Sequence, residues 1–501
     1  MSKHPQHDTQ AEQVDMVLDR AELDIDRKER AKIPMHLVPK EDAITRLTHF
    51  HEIYLNYEAE IACIEAGRCI QCPDPAPCQL ACPLGNDIPT ALRLTEQGRF
   101  IEAANTFRAT SPMPEICSRV CPQERLCEGS CTHGGGVHGE PVRIGKIEKF
   151  VIEYQYAMEG IPLGEVAPDT GKRVAIVGGG PAGMACAEAL RRKGHAVTVY
   201  DANPHPGGLL IYGIPAFKLE KSRVVEKVNQ LKKLGIAFIC NVRVGQDVML
   251  DELREQYDAV FVGVGANIDA TAKFEGADLE GVYQAGEFLI RVNVPLELQP
   301  KALAERGKPH IGRHVFVIGG GDTAMDCVRS SLRLQTEMGY PLDVTCAYRR
   351  TEAEMPGCRA ERENAREEGA KFEWLTAPVR FIGDEHGKLA AIEFVRMELG
   401  EPDQSGRRRP VKIEGSEYTV PADTAVLALG YWPDDLLGKT NPALKTHDWG
   451  LITADPTTGQ TSLTNVWAGG DAVTGPDLVS TAIRAGLHAA QSMHLYLTSG
   501  Q

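Results

Sequence analysis

The sequence has no long apolar run. Its uncharged stretch Val174–Ala187 carries four glycines and a proline, and is too short and too broken to cross a bilayer. Residues Met1–Glu22 are polar and hold no apolar leader core, so no secretory signal is expected and the chain is placed in the cytoplasm. Positive charge is also scarce. The 54 Lys and Arg face 69 Asp and Glu, a net charge of −15, which argues against the basic surface that non-specific nucleic-acid binding needs. Residues 1–45 are poor in aromatics and rich in charge, and read as a partly ordered, solvated arm.

What is present is a chain of 501 residues, 43% hydrophobic and 25% charged, enough for about three domains at roughly 150 residues each. The 14 cysteines are unevenly spread: nine lie between Cys63 and Cys131, while Cys186, Cys240, Cys327, Cys346 and Cys358 stand singly. Without a secretory signal, a disulfide framework is not expected in so large a chain; clustered thiols in a reducing compartment bind metal or do redox chemistry. Apolar residues recur at helical spacing from Ala43 to Ala66. Ile88–Phe107 reads as two short helices, Ile144–Met158 as another, and Pro162–Gly171 as a linker.

After Gly171 the texture changes. Apolar β-branched runs (Val174–Val177, Val197–Tyr200, Ala259–Val264, Val315–Ile318, Val344–Tyr348, Thr424–Leu429) alternate with helical stretches, which predicts βαβ units and parallel sheets. The region is internally duplicated: VAIVGGGPAGMACA (174–187) is echoed by VFVIGGGDTAMDCV (315–328). In the first copy Gly178-x-Gly180-x-x-Gly183 follows a strand and opens a helix at Pro181 and Ala182. Gly178 makes the tight turn, Gly180 lets backbone approach a pyrophosphate, and Gly183 lets the helix pack on the sheet. The helix N-terminus offers unpaired N–H groups to phosphate, and Asp201, at the end of the next strand, suits ribose hydroxyls. A ligand-free glycine turn is the alternative.

In the second copy, Gly319-x-Gly321-x-x-Ala324, with Asp322 and Thr323 inside it, the strand end carries Arg349 and Arg350 instead of an acid. A carboxylate there would repel a 2′-phosphate, whereas guanidinium groups bind one bidentately. Two such residues would prefer NADPH over NADH by about a hundredfold or more, unless the pair is only a solvated surface feature. The economical pairing is FAD in the first fold and NADPH in the second. NVWAGGD (465–471), followed by a helical run Leu478–Leu497, supports FAD: Asp471, after Gly470, suits a ribityl chain, and the helix start at Val479, Ser480 and Thr481 suits negative charge on a reduced flavin ring. A helix cap is the plainer role for Asp471.

The motif order resembles the pyridine nucleotide–flavin reductases. From about Gly67 onward the chain is similar to the small (β) subunit of NADPH-dependent glutamate synthase and its relatives, the N-terminal part of dihydropyrimidine dehydrogenase and the large subunit of the electron-bifurcating NADH-dependent ferredoxin:NADP oxidoreductase. The stretches that carry this are ICSRVCPQERLCEGSC (116–131), PGGLLIYGIPAFKLEK (206–221), GGGDTAMDC (319–327), AYRRTEAEMPG (347–357), LGEPDQSGRRRPVKIEGSE (399–417) and WAGGDAVTGPDLV (467–479). The resemblance implies an α/β fold in which an α-helical iron–sulfur domain precedes two Rossmann-like domains. Expected bounds are 1–168 for the helical domain with two clusters, 169–290 and 430–501 for the two parts of the FAD domain, and 291–429 for the NADPH domain between them. It implies flavin contacts at Gly208, Leu209 and Lys218, with backbone help near Val244 and Gly265. It implies NADPH contacts at Gly321, Asp322, Thr323, Arg349 and Arg350, with Gly430 near the nicotinamide end.

The cysteines form two groups, Cys69-x2-Cys72-x5-Cys78-x3-Cys82-Pro83 and Cys117-x3-Cys121-x5-Cys127-x3-Cys131. The first resembles a bacterial ferredoxin run, in which the cysteine before proline serves the other cluster. Spacing therefore suggests Cys69, Cys72 and Cys78 with a late cysteine for one cluster, and Cys82 with the second group for the other. Zinc is the rival, but it prefers paired C-x2-4-C knuckles. By resemblance to dihydropyrimidine dehydrogenase, Cys131 completes the first [4Fe-4S] cluster, while Cys82, Cys121 and Cys127 hold the second with a non-cysteine ligand. That ligand would be Glu148, as in the bifurcating enzyme; its plain alternative is a solvated helix residue. Cys63 and Cys117 are then spare buried thiols.

These parts imply an oxidoreductase that takes hydride from NADPH into FAD and sends electrons singly through iron–sulfur clusters to a partner protein. No catalytic side chain is expected, since hydride transfer needs none, and no second substrate site is visible. The expected partner is the glutamate synthase large subunit, in a hetero-oligomer without nucleic acid or membrane. The alternative is the large subunit of a ferredoxin-linked transhydrogenase, which KIPMHLVP (32–39) and Glu148 fit about as well, or the input subunit of another redox complex. A thiol–disulfide reductase would need a C-x-x-C beside the flavin, and the C-x-x-C at Cys69/Cys72 sits in the cluster region. A zinc scaffold would be colourless.

Overall fold

The computed structural model describes residues 25–134, 139–270, 272–403 and 406–499. The expectations for Met1–Glu22 lie outside these residues. No helix among the described residues is long and apolar enough to cross a membrane.

The N-terminal region is helical. Helices Ile88–Glu96 and Phe100–Arg108 are separated at Gly98, whose φ of 74° is a left-handed break that glycine adopts without strain. Both pack with Ile144–Glu159, and Ile88–Glu96 also with Ala59–Gly67, around a core that includes Ile88, Leu92, Phe107, Ile147 and Val151. The helical periodicity expected from Ala43 to Ala66 does not form one helix. Ala43–Leu47 is helical, the chain then runs irregularly, and helix resumes at Ala59. The apolar residues of this stretch serve different cores: Leu47 joins the core of the second nucleotide fold, whereas Tyr57 joins that of the helical region. No single face unites them.

Two five-stranded parallel sheets follow. The first has the order Val466–Ala468, Ala259–Val262, Arg173–Val177, Ala196–Asp201, Ala237–Cys240. Val174–Val177 and Ala259–Val262 are buried on both faces, as near-continuous apolar runs require, whereas Ala196–Asp201 is fully buried only at alternate residues. Helices Pro181–Arg192 and Val479–Thr498 cross so closely that a side chain at Gly486 would meet the Ala182 carbonyl oxygen at 2.1 Å. The second sheet has the order Val282–Gln284, Thr424–Leu427, Val315–Ile318, Val344–Tyr348, Lys371–Trp374. An antiparallel sheet built on Thr376–Gly383, Leu389–Pro402, Arg408–Lys412 and Tyr418–Pro421 is appended to it.

The crossing into the second fold lies earlier than the expected boundary at 290. Val282–Gln284 already pairs with Thr424–Leu427 in the second sheet, and Ala285–Asn293 packs on that sheet's helix Asp322–Glu337. The two chain crossings pair as a short antiparallel ribbon, Ile268–Asp269 with Tyr431–Trp432, so the insertion runs from about 269 to 431. The expected start at 291 falls after this short edge strand, which has no continuous apolar run to mark it.

Candidate active site and iron–sulfur region

In the first glycine loop each residue is explained by what a side chain would strike. A Cβ at Gly183 would lie 1.9 Å from the Gly178 carbonyl oxygen, and Gly178 itself has φ 98°. At Gly180 such an atom would meet only Gly208 Cα, at 4.0 Å, so the backbone is open to a ligand there. Asp201 is buried; it accepts hydrogen bonds from the Gly179 N–H (2.8 Å, Oδ2) and the Asn203 N–H (2.8 Å, Oδ1), and burial pushes its carboxyl up. Its position fixes the loop and leaves lone pairs for ribose hydroxyls.

The second loop repeats the plan. Gly319 adopts φ 151°, where a Cβ would press the Ala428 carbonyl at 2.3 Å, while nothing lies within 4 Å of a Cβ at Gly321. Ala324 is buried under the sheet. Asp322 opens helix Asp322–Glu337 and accepts from the Cys358 N–H at 2.9 Å. The structure divides the arginine pair. Arg349 is exposed, whereas Arg350 is 5% exposed, pairs with Asp403 at 2.9 Å and donates to the Arg408 carbonyl at 2.7 Å. Arg350 thus braces the antiparallel sheet, and Arg349 is the member of the pair left open at the strand end.

A cavity of about 920 Å³ joins these loops. Gly178, Gly180, Pro181, Ala182, Asp201, Gly208, Leu209, Val244, Gly265 and Asp471 line it from the first fold, and Asp322, Thr323, Asp326 and Cys358 from the second. Burial pushes the Asp471 carboxyl up to about 7, and Gly470 before it has φ 69°. Val479 and Ala482 present the start of helix Val479–Thr498 to the same space. Thr481 does not line it: its hydroxyl accepts from the Leu478 N–H (3.1 Å) and donates to the Leu478 carbonyl (2.7 Å). Lys218 reaches the cavity, but its ammonium is held by Asp326 at 2.9 Å and Glu361 at 3.8 Å, both from the second fold. Burial works against its charge, yet those carboxylates raise its pKa overall. Gly430, φ 104°, sits in the crossing ribbon region beside Tyr431, which lines the cavity.

The helical region supplies a wall of this cavity that no motif announced. Tyr54, Cys121, Gln123, Arg125 and Lys146 all face it. Lys146 lies 4.0 Å over the Tyr54 ring, and burial brings its pKa down to about 8. Arg125 donates to the Pro356 carbonyl at 3.3 Å and lies 3.8 Å from Asp322. The one available signal was position: Gln123 and Arg125 fall between Cys121 and Cys127.

Four of the cysteines lie around one cavity. Cys69, Cys72, Cys78 and Cys131 line one small cavity closed by Ile70, Leu92, Val142 and Ile144. Burial first, then the neighbouring thiols, raises the Cys69 thiol to about 12, and the same causes raise Cys78. Cys82, Cys121, Cys127 and Glu148 are within electrostatic reach of one another, and Cys117 is in reach of Cys121 and Glu148 as well. Glu148 is not a solvated helix residue. It is 7% exposed, its Oε1 has no hydrogen-bond partner among the described residues, and burial raises its pKa strongly. Such a carboxyl is costly unless a cation or inorganic centre compensates it. Among the described residues no three His, Cys, Asp or Glu side chains close in as around a single metal ion. Cys69, Cys72, Cys78 and Cys131 around one cavity supply the four thiolates that a four-iron cluster takes. Cys117 is buried beside Cys121 and is not set apart from the second group, whereas Cys63, expected to be buried, is half-buried and donates its thiol to the Thr95 carbonyl at 3.2 Å.

Comparison with known proteins identifies the family. Residues 46–160 match the family described as dihydropyrimidine dehydrogenase domain II, 4Fe-4S cluster, and residues 172–486 match pyridine nucleotide-disulphide oxidoreductase. The putative oxidoreductase AegA of Escherichia coli (strain K12) is 46% identical over 458 residues, 89% of this chain and 67% of that protein. The glutamate synthase (NADPH) small chain of the same organism is 42% identical over 462 residues, 92% of this chain and 96% of that one. FprA of Mycobacterium tuberculosis, solved in complex with NADPH, shares the fold, with a TM-score of 0.53 at 22% identity over 65% of this chain and 84% of that chain. The chain therefore belongs to the pyridine nucleotide-disulphide oxidoreductases, in the branch that contains the glutamate synthase small chain: an NADPH-dependent oxidoreductase that uses FAD and 4Fe-4S clusters.

Proposed function

We propose that the chain is the electron-input subunit of a cytoplasmic redox complex. It takes reducing equivalents from NADPH and delivers them to a partner, the subunit that makes glutamate from glutamine and 2-oxoglutarate in a glutamate synthase. The carrying observation is the shared cavity: both glycine loops and Cys121 open into one space, so nucleotide, flavin and a cluster ligand meet there. FAD supplies the exchange between paired and single electrons, and iron–sulfur clusters carry the single ones.

The residues named above hold the parts of this device. The helix starts at Pro181 and Asp322 direct N–H groups at phosphates, and Asp201 holds the flavin adenosine ribose. Arg349 takes the 2′-phosphate of NADPH. Asp471 and the first turn of Val479–Thr498 orient the flavin and stabilise negative charge near it. Cys69, Cys72, Cys78 and Cys131 hold one cluster; Cys82, Cys121, Cys127 and Glu148 hold the other. In this reading the amide and keto-acid chemistry belongs to the partner.

The test uses anaerobically purified chain. It should oxidise NADPH with ferricyanide and form no glutamate from glutamine and 2-oxoglutarate until a glutamate synthase large subunit is added. Glutamate made by the pure chain, or a preparation without flavin absorbance and acid-labile sulfide, refutes the proposal. The higher identity to AegA than to the small chain favours a second reading, the same input module serving another acceptor. Co-purification with a large amidotransferase-like chain or with a different redox protein decides between them.

A further inference from the structure

Asp322 stands first in helix Asp322–Glu337, lines the cavity, and has a side chain 38% exposed. The helix dipole favours a carboxylate there, but the same charge repels a phosphate arriving at the helix start. Hydrogen bonds from the Cys358 N–H at 2.9 Å and the Cys358 thiol at 3.6 Å meet it only in part. A full positive charge reaches it from the helical region. Arg125, in the turn Gln123–Arg125, lies 3.8 Å from Asp322 Oδ2 and 3.7 Å from the Cys358 sulfur, and donates to the Pro356 carbonyl at 3.3 Å. The segment it grips abuts the second glycine loop. The Gly357 N–H donates to the Gly320 carbonyl at 3.1 Å, and a Cβ at Gly357 would lie 3.2 Å from that oxygen. These contacts of Arg125 are long, its side chain is 48% exposed, and it lines the cavity, so its five-donor fork has capacity left for an anion. Lys218, by contrast, is engaged with Asp326 and Glu361, and Arg359 lies 3.6 Å from Glu363 on its own helix.

We propose that Arg125 is a nucleotide-binding residue contributed by the helical region: its guanidinium donates to the pyrophosphate of NADPH at the second glycine loop and offsets the Asp322 carboxylate there. The inference rests on NADPH occupying that loop, as read above. Nothing lies within 4 Å of a Cβ at Gly321, which leaves room for the pyrophosphate, and a guanidinium matches phosphate oxygens with paired donors. The role differs from that of Arg349. Pyrophosphate is common to NADPH and NADH, so Arg125 strengthens both, whereas a contact to the 2′-phosphate strengthens NADPH alone. The same turn holds a contact of another kind: the Arg359 N–H donates to Glu124 at 2.6 Å. It fastens the turn to the second fold without offering positive charge, and so provides a control.

Equilibrium dialysis of NADP+ and of NAD+ against the anaerobic holoprotein tests it, with iron content measured alongside. Arg125→Ala should weaken both nucleotides by about tenfold or more, and by the same factor. Glu124→Ala, which releases the turn from Arg359 but keeps the guanidinium, should weaken neither. Wild-type affinity in iron-replete Arg125→Ala, a loss confined to NADP+, or equal losses in Arg125→Ala and Glu124→Ala overturns the inference. If Arg125→Ala binds less iron, Arg125→Gln, which keeps a polar side chain without charge, makes the same comparison, and wild-type affinity there overturns the inference. Wild-type protein that binds neither nucleotide overturns the reading of the second loop, and the inference with it.

Discussion

Replacing Arg349 by alanine should separate NADPH from NADH. The residue is exposed at the end of strand Val344–Tyr348, next to a glycine loop whose Gly321 leaves room for a dinucleotide. A hydrogen bond from a guanidinium to a phosphate contributes about 1.5–3 kcal/mol net. At 1.4 kcal/mol per factor of ten, kcat/KM for NADPH should fall about ten- to a hundredfold, with NADH unchanged. Arg350 behaves differently. Its guanidinium is engaged with Asp403 at 2.9 Å and the Arg408 carbonyl at 2.7 Å, so Arg350→Ala loosens the appended sheet and leaves Asp403 without this partner. That change should lower thermal stability and affect both nucleotides alike. The assay is steady-state ferricyanide reduction with each nucleotide. Equal losses for NADPH and NADH in Arg349→Ala, or a selective loss in Arg350→Ala, would refute the division of roles.

Two further substitutions probe the remaining sites. Gly183→Ala forces a methyl to within 1.9 Å of the Gly178 carbonyl, so the loop must shift; overpacking of this kind costs about 1–3 kcal/mol or more. Flavin content and Tm should both fall, and full flavin occupancy at an unchanged Tm would contradict the loop assignment. Glu148→Ala should remove the second cluster while sparing the one in the Cys69 set, so iron content drops by about half; unchanged iron and EPR signals would give the fourth ligand position to another group.

Much of this could be read from residues whose spacing has a physical cause. The strands Arg173–Val177, Val315–Ile318 and Val344–Tyr348 stand where the apolar runs put them, and both glycine loops sit between strand and helix as the motif requires. Edge strands were less visible. Ala237–Cys240, Val282–Gln284 and Lys371–Trp374 are short and half-exposed, without the continuous apolar run of an inner strand. Missing Val282–Gln284 moved the domain boundary by some twenty residues. Arg349 and Arg350 looked equivalent because spacing shows that two guanidinium groups are adjacent, not which one a distant Asp403 will take. Thr481 stands in the first turn of its helix as expected, but its hydroxyl turns back to Leu478 and the residue does not line the cavity.

The least legible part is what holds the three units around one cavity. Phe217 of the first fold is 1% exposed and lies under two guanidinium groups of the second, Arg329 at 4.4 Å and Arg333 at 4.2 Å. Both arginines pair with Glu368, at 2.8 and 2.9 Å, and Arg46 from the N-terminal region reaches Glu367 at 2.6 Å and Glu368 at 3.6 Å. Each of these charges, met singly in the sequence, reads as solvated helix surface. Arg329, Arg333 and Glu368 are fully buried, and removing one of them strands another charge away from water. Such a set contributes little net stability for the desolvation it costs, but it tolerates few alternative arrangements, which suits a joint that must fix the nicotinamide domain against flavin and cluster domains. The acidity of the chain is therefore uninformative about its interior, where arginines that no motif marks join the N-terminal region and the two nucleotide folds.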